Sequence, residues 1–194
     1  MEIYNRPWPH EDWAYEYSKR DVRSRHSVPE MADSAAALAQ LDVSVIRLHG
    51  IVDGRCTCGR RGCRTPGKHP DVGSTWKRFT REHADLDLVR RWFTQKPYAN
   101  VGIVTGEISA ILVLDADGEA GVTELERRGY PTTWTARSGF GGLHLYLRHP
   151  GYLVGNRKIA GIGDLRGDGG LIVAPPSLHV SGERYEWLPG RSPW

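Results

Sequence analysis

The sequence predicts an α+β fold with helices early and antiparallel strands late. Two observations carry this. Between residues 31 and 100, two segments with helical caps flank one short apolar strand. After residue 100, short apolar or alternating runs follow one another between Gly-, Asp- and Pro-containing turns, with room for one more helix.

The elements follow in order. Residues 1–30 are polar and aromatic without a clean period; Trp8, Trp13, Tyr15 and Tyr17 suit a packed arm. Asp33 or Ser34 can cap a helix over 35–41. Residues 43–48 read as a strand, followed by a Gly-, Cys- and Arg-rich loop. Asp85 or Asp87 can cap a second helix running through Trp92 and Phe93 and ending before Pro97. Residues 101–104 and 108–114 are successive strands joined by Thr105-Gly106-Glu107. A helix over 121–128 stops at Gly129. Strands over 132–137, 143–148, 163–166, 171–174 and 185–187 complete the chain, which has no repeat and no low-complexity linker.

The 194 residues suffice for one domain with a sizeable core, or for two small intimate modules. No apolar run approaches the ~20 residues of a membrane span, and the N-terminus has no signal-peptide pattern, so the expected compartment is the cytoplasm and no membrane partner is expected. A net charge of +3 permits nucleic-acid binding without demanding it. The distribution says more. Arg55, Arg60, Arg61, Arg64, Lys68, Lys77, Arg78, Arg81, Arg90 and Arg91 crowd one segment, and arginine's planar fork suits phosphate. A solvated basic face explains the same residues equally well.

The run Ile111-Leu112-Val113-Leu114-Asp115-Ala116-Asp117 ends an apolar strand in two carboxylates one residue apart. Alternation puts Asp115 and Asp117 on one face, about 6–7 Å apart. Such a pair can hold Mg²⁺ or Mn²⁺, hard ions that take oxygen ligands and keep positions open for phosphates. Two such ions are the apparatus of nucleotidyl transfer. A strand-end turn at Asp117-Gly118 is the alternative.

All three cysteines lie in C-x-C-x4-C-x5-H, formed by Cys56, Cys58, Cys63 and His69. Three thiolates and one imidazole on a Gly-rich loop fit a structural Zn²⁺ site, and an odd cysteine count argues against a disulfide framework. Further on, Ser138-Gly139-Phe140-Gly141-Gly142 runs into a strand on which His144, Tyr146 and Arg148 share a face. The glycine N–H groups of such a loop can face phosphate oxygens. Asp164 and Arg166 share a face of a later strand, whereas Asp168, among Gly167, Gly169 and Gly170, suits a tight turn.

The ordered segments 66–70 (Pro-Gly-Lys-His-Pro), 100–106, 113–117, 138–146, 164–170 and 174–177 (Ala-Pro-Pro-Ser) resemble a bifunctional DNA primase/polymerase domain of the archaeo-eukaryotic primase superfamily, as in plasmid and phage replication proteins. The resemblance covers roughly 35–190. It implies an RNA-recognition-motif-like catalytic module (101–194) packed on an N-terminal α/β module (31–100) that bears the zinc loop, after an arm at 1–30. It implies Asp115, Asp117 and Asp164 as Mg²⁺ or Mn²⁺ ligands and catalytic acids. His144, Ser138, Gly139, Gly141, Gly142 and Arg166 would bind the nucleotide, and Cys56, Cys58, Cys63 and His69 the Zn²⁺. Implied partners are a single-stranded DNA template, nucleoside triphosphates, and a helicase or helical-bundle domain in the same protein or in trans. The chain stops at Trp194 without such a domain, and its aromatic arm departs from the pattern. Two other readings of the residues stand beside this one: a non-catalytic zinc-containing DNA-binding module, and a two-metal nuclease or phosphodiesterase.

Overall fold

A computed structural model describes residues 31–130 and 133–194, apart from the side chains of Gly73 and Ser74. The aromatic arm expected at 1–30 lies outside the described residues. The architecture is α+β. The first helix, α1 (Met31–Gln40), starts earlier than its cap signal suggested and buries Ala35 and Leu38. Asp33 sits in its first turn. Strand β1 (Val45–Leu48) is buried throughout. The cysteine-rich loop contains a small hairpin, β2 (Ile51–Val52) with β3 (Arg55–Cys56), and is followed by a 3-10 helix at Gly73–Thr80; the sequence reading showed neither. Helix α2 (Leu86–Gln95) is capped by Asp85, whose carboxylate accepts from the Leu88 N–H at 2.7 Å. Its Val89, Trp92 and Phe93 enter the core.

Strand β4 (Asn100–Val104) is buried along its length. A 3-10 turn at Glu107–Ser109 and a left-handed Ala110 separate it from β5 (Ile111–Ala116), so β5 begins later than predicted and extends past Asp115. Helix α3 (Gly118–Arg127) starts directly after Asp117, three residues before the predicted start. It ends as predicted at Gly129, whose φ of +68° is the left-handed value that favours glycine. Then follow β6 (Thr135–Arg137), β7 (Leu143–Arg148), β8 (Arg157–Ile159), β9 (Gly163–Arg166), β10 (Leu171–Ala174) and β11 (Glu186–Trp187). Strand β8 went unpredicted, because Arg157-Lys158-Ile159 has no apolar alternation long enough to read.

The strands form two larger sheets, all of whose pairs are antiparallel. One has the order β1-β4-β10, the other β11-β6-β7-β5-β9-β8. Strand β10 therefore returns from late in the chain to complete the sheet begun by β1 and β4. One continuous core joins α1, α2 and the three-stranded sheet to Ile111, Val113, Ala136 and Tyr146 of the larger sheet. The other face of that sheet packs against α3, with Leu114, Ala116 and Leu145 meeting Leu125 and Ile162. This alternation sets up the site. Ile111 and Val113 are buried toward the smaller sheet, and Asp115 is the next residue on the same face.

Candidate active site and metal cluster

Asp115 faces His144 of β7 and Asp164 of β9 as direct cross-strand partners. Opposite residues of antiparallel strands share a face, so the three side chains form a row across the sheet. Arg166 leans in from the neighbouring row, opposite Val113. The His144 Nε2 lies 3.3 Å from Asp115 Oδ1, and an Arg166 Nη2 lies 3.6 Å from Asp115 Oδ2 and 2.8 Å from Asp164 Oδ2. Lys158 holds the other Asp164 oxygen at 2.9 Å. Burial pushes the Asp115 carboxyl up. The hydrogen bond and charge of His144, then Arg166 and Lys68, outweigh burial and hold it below the usual carboxylate range. His144 is buried, and its Nδ1 has no hydrogen-bond partner among the described residues.

This row opens into a cleft of about 890 Å³. Asp115, Asp117, Ser138, His144 and Arg166 all line it, so the structure brings five of the predicted residues together. Asp164 does not line the cleft; its carboxylate is engaged by Arg166 and Lys158. Gly139, Gly141 and Gly142 also stand behind the wall. The Gly141 and Gly142 N–H groups donate within the turn, to the Ser138 carbonyl and Oγ, rather than into the cleft. These glycines serve close packing: a Cβ on Gly142 would sit 2.3 Å from the Ala116 carbonyl oxygen, and one on Gly139 2.2 Å from the His179 Cβ. Asp168, the turn acid, accepts from the backbone N–H groups of Glu107 (2.9 Å) and Val154 (2.7 Å) and pairs with His149.

The cleft is also lined by Thr65, Lys68, Phe140, His179 and Tyr185, which the sequence reading did not assign to the site. Lys68 and His179 stand within or beside the segments singled out at 66–70 and 174–177, so a signal existed for them. Tyr185 had none. Burial, then the nearby Asp115 charge, raises the Tyr185 hydroxyl pKa and keeps it neutral.

The cysteine cluster is assembled. One ligand atom each from Cys56, Cys58, Cys63 and His69 lie within 4.8 Å of one another, the one such convergent group of three or more among the described residues. His69 Nε2 is 3.5 Å from Cys56 Sγ and 3.4 Å from Cys63 Sγ. The Arg60 backbone N–H holds the Cys58 thiol below its ordinary value, whereas burial pushes Cys63 up. Three soft sulfurs and one imidazole, all half-buried, fit a tetrahedral structural Zn²⁺. The three acids do not converge in this way; Asp115 and Asp117 share the cleft, and Asp164 is salt-bridged beside it.

The profile of one family, Prim-Pol, described as "Bifunctional DNA primase/polymerase, N-terminal", matches residues 35–194. The chain belongs to the Prim-Pol family. This places it in the archaeo-eukaryotic primase superfamily, with the domain spanning nearly the whole described chain. No curated protein matches the sequence significantly. No helix among the described residues is long and apolar enough to cross a membrane. The ten basic residues singled out between 55 and 91 are all exposed, although Arg78 pairs with Glu82 and Arg90 with Asp87.

Proposed function

We propose that this Prim-Pol domain is a DNA-dependent primase/polymerase that transfers a nucleotide from a nucleoside triphosphate to a 3′-hydroxyl, releasing pyrophosphate. The observation that carries this is the cleft, where two carboxylates stand beside a histidine, an arginine and a serine on rigid strand ends and a tight turn. Asp115 and Asp117 fit Mg²⁺ or Mn²⁺ as oxygen donors sharing an open cavity. The ions would acidify the 3′-hydroxyl and neutralise charge on the attacked phosphate. Asp164 is the third acid of this reading; for that role it must exchange its contacts to Arg166 and Lys158.

The chain's own residues orient the reaction. Ser138 and Arg166 offer an O–H and N–H groups to the triphosphate. His144 is tied to Asp115 through Nε2 and retains Nδ1 for a phosphate oxygen, and Arg166, freed from Asp164, compensates charge on the leaving group. The exposed arginines of residues 55–91 grip single-stranded template by its phosphates. The RNA-recognition-motif-like reading of 101–194 draws support from the succession β5–α3–β6–β7, followed by β9, with β5 central in its sheet. The division into modules 31–100 and 101–194, a helicase or helical-bundle partner and a cytoplasmic setting belong to the same proposal.

Primer extension and de novo synthesis with labelled ribo- and deoxyribonucleotides, with Mg²⁺, Mn²⁺ or chelator, test it. Divalent-dependent products longer than the primer are expected. DNA binding without incorporation would favour the non-catalytic module, and shortening of DNA without nucleoside triphosphates would favour a nuclease.

A further inference from the structure

We propose that Lys68 is a nucleotide-binding residue that reaches the triphosphate from the zinc-loop side of the cleft, and that the metal cluster is its mount. This rests on the nucleotidyl-transfer reading of the cleft.

Lys68 lines the cleft together with Asp115, Ser138, His144 and Arg166, but comes from a different part of the fold. Its neighbours in the chain are both fixed. His69 is a ligand of the cluster, and its carbonyl accepts from the His49 N–H at 2.9 Å. Gly67 donates its N–H to Cys56 Sγ at 3.4 Å, and its carbonyl accepts from the Asn100 side-chain amide at 2.9 Å. Asn100 is itself buried, and its amide also exchanges two hydrogen bonds with Leu178, the residue before His179 of the cleft. Gly67 adopts φ +73°, and a Cβ there would meet Asn100 Nδ2 at 2.9 Å, so this approach needs glycine.

The Lys68 ammonium is in no ion pair among the described residues, unlike Lys96 and Lys158. Its charge is nonetheless felt by both Asp115 and His179, on two separate walls. An unpaired cation held over a phosphate-sized cavity by a rigid backbone is a phosphate contact awaiting its anion. A flexible ammonium acts there as a point charge.

The test measures binding by the zinc-loaded full chain of three probes: inorganic tripolyphosphate, dATP and a single-stranded oligonucleotide. Lys68→Gln is expected to weaken tripolyphosphate and dATP about tenfold or more, Lys68→Arg much less, and the oligonucleotide about twofold or less. Removing zinc should reproduce the loss, and Lys68→Gln in zinc-free protein should add little further. If chelation melts the chain, Gly67→Ala, which displaces the same loop with zinc bound, takes its place and should lower triphosphate affinity likewise. Wild-type and Lys68→Gln proteins binding dATP equally well would overturn the assignment, as would a loss confined to the oligonucleotide. Additive losses from zinc removal and Lys68→Gln would overturn the mount. A wild-type chain that binds neither dATP nor tripolyphosphate would overturn the nucleotidyl-transfer reading itself, and this assignment with it.

Discussion

Two aspartate–histidine pairs sit on or just after β7, and by distance and burial they are nearly twins. Asp115 meets His144 Nε2 at 3.3 Å and Asp168 meets His149 Nε2 at 3.1 Å, with both imidazoles 4% exposed. In both aspartates the contacts outweigh burial and hold the carboxyl below its usual range. Their wiring differs. Asp168 is bound by two backbone N–H groups from separate loops, and Asn156 donates to its carbonyl. Asp115 is held by side chains, His144 and Arg166, at the edge of an open cleft. A depressed carboxyl therefore does not by itself mark a catalytic acid. Contacts that can be redirected mark one; contacts fixed in the backbone mark a structural tie.

The largest expected effect separates the two pairs by chemistry. Asp115→Ala with Asp117→Ala should lower nucleotide incorporation by about 10³-fold or more while the melting temperature holds or rises, since mutual repulsion is relieved. Asp164→Asn should also remove most divalent-dependent activity, and Asp168→Asn should cost much less per folded molecule. A Mn²⁺ titration of the two single mutants reads this, and an inactive Asp168→Asn beside a healthy Asp164→Asn would reverse the contrast.

Stability should show the opposite ranking. Asp168→Ala strands two backbone donors and should cost about 2–4 kcal/mol in denaturant unfolding. Asp115→Ala, which leaves no backbone donor unpaired, should cost about 1 kcal/mol or less. Acid pH gives a smaller effect. Both carboxyls lie lower in the folded chain than in the unfolded one. Each therefore contributes stability above the ordinary value near ~3.9, lost as pH falls through the folded value. Melting curves from pH 6 to pH 3 should fall for the wild type and flatten for Asp168→Asn. Lys158→Ala should have the least effect on stability, about 0.2–1 kcal/mol, because its ammonium is 77% exposed.

The sequence reveals the ends of this contrast better than its middle. The apolar run into Asp115 and the glycines around Asp168 distinguish strand end from turn, and the cysteine spacing exposes the metal cluster, because each signal is local. Asp85 as helix cap and Gly129 as helix stop are legible for the same reason. The start of β5 is not, because Glu107 to Ala110 turn through a left-handed residue that no glycine announces. Nor does the sequence show Arg166 and Lys158 closing on Asp164, or Lys68 reaching the cleft. Those contacts depend on which strands become neighbours, and β8 carries too little pattern to be placed. The glycine loop misleads in a particular way: its N–H groups are consumed within the turn and its missing side chains make room for Ala116 and His179.

The return of β10 to β4 has a consequence for how the chain emerges from the ribosome. Strand β4 lies against β1 within a few dozen residues of synthesis, but its second edge waits for Leu171–Ala174. During that interval Val101 to Val104 present unsatisfied amides and carbonyls along an apolar strand, the kind of edge that recruits foreign strands. Completion of the sheet is thus a late event at long sequence separation, and such contacts form slowly. Nascent chains arrested before residue 171 should bind holdase chaperones, and release of Leu171–Ala174 from the exit tunnel should end that attachment.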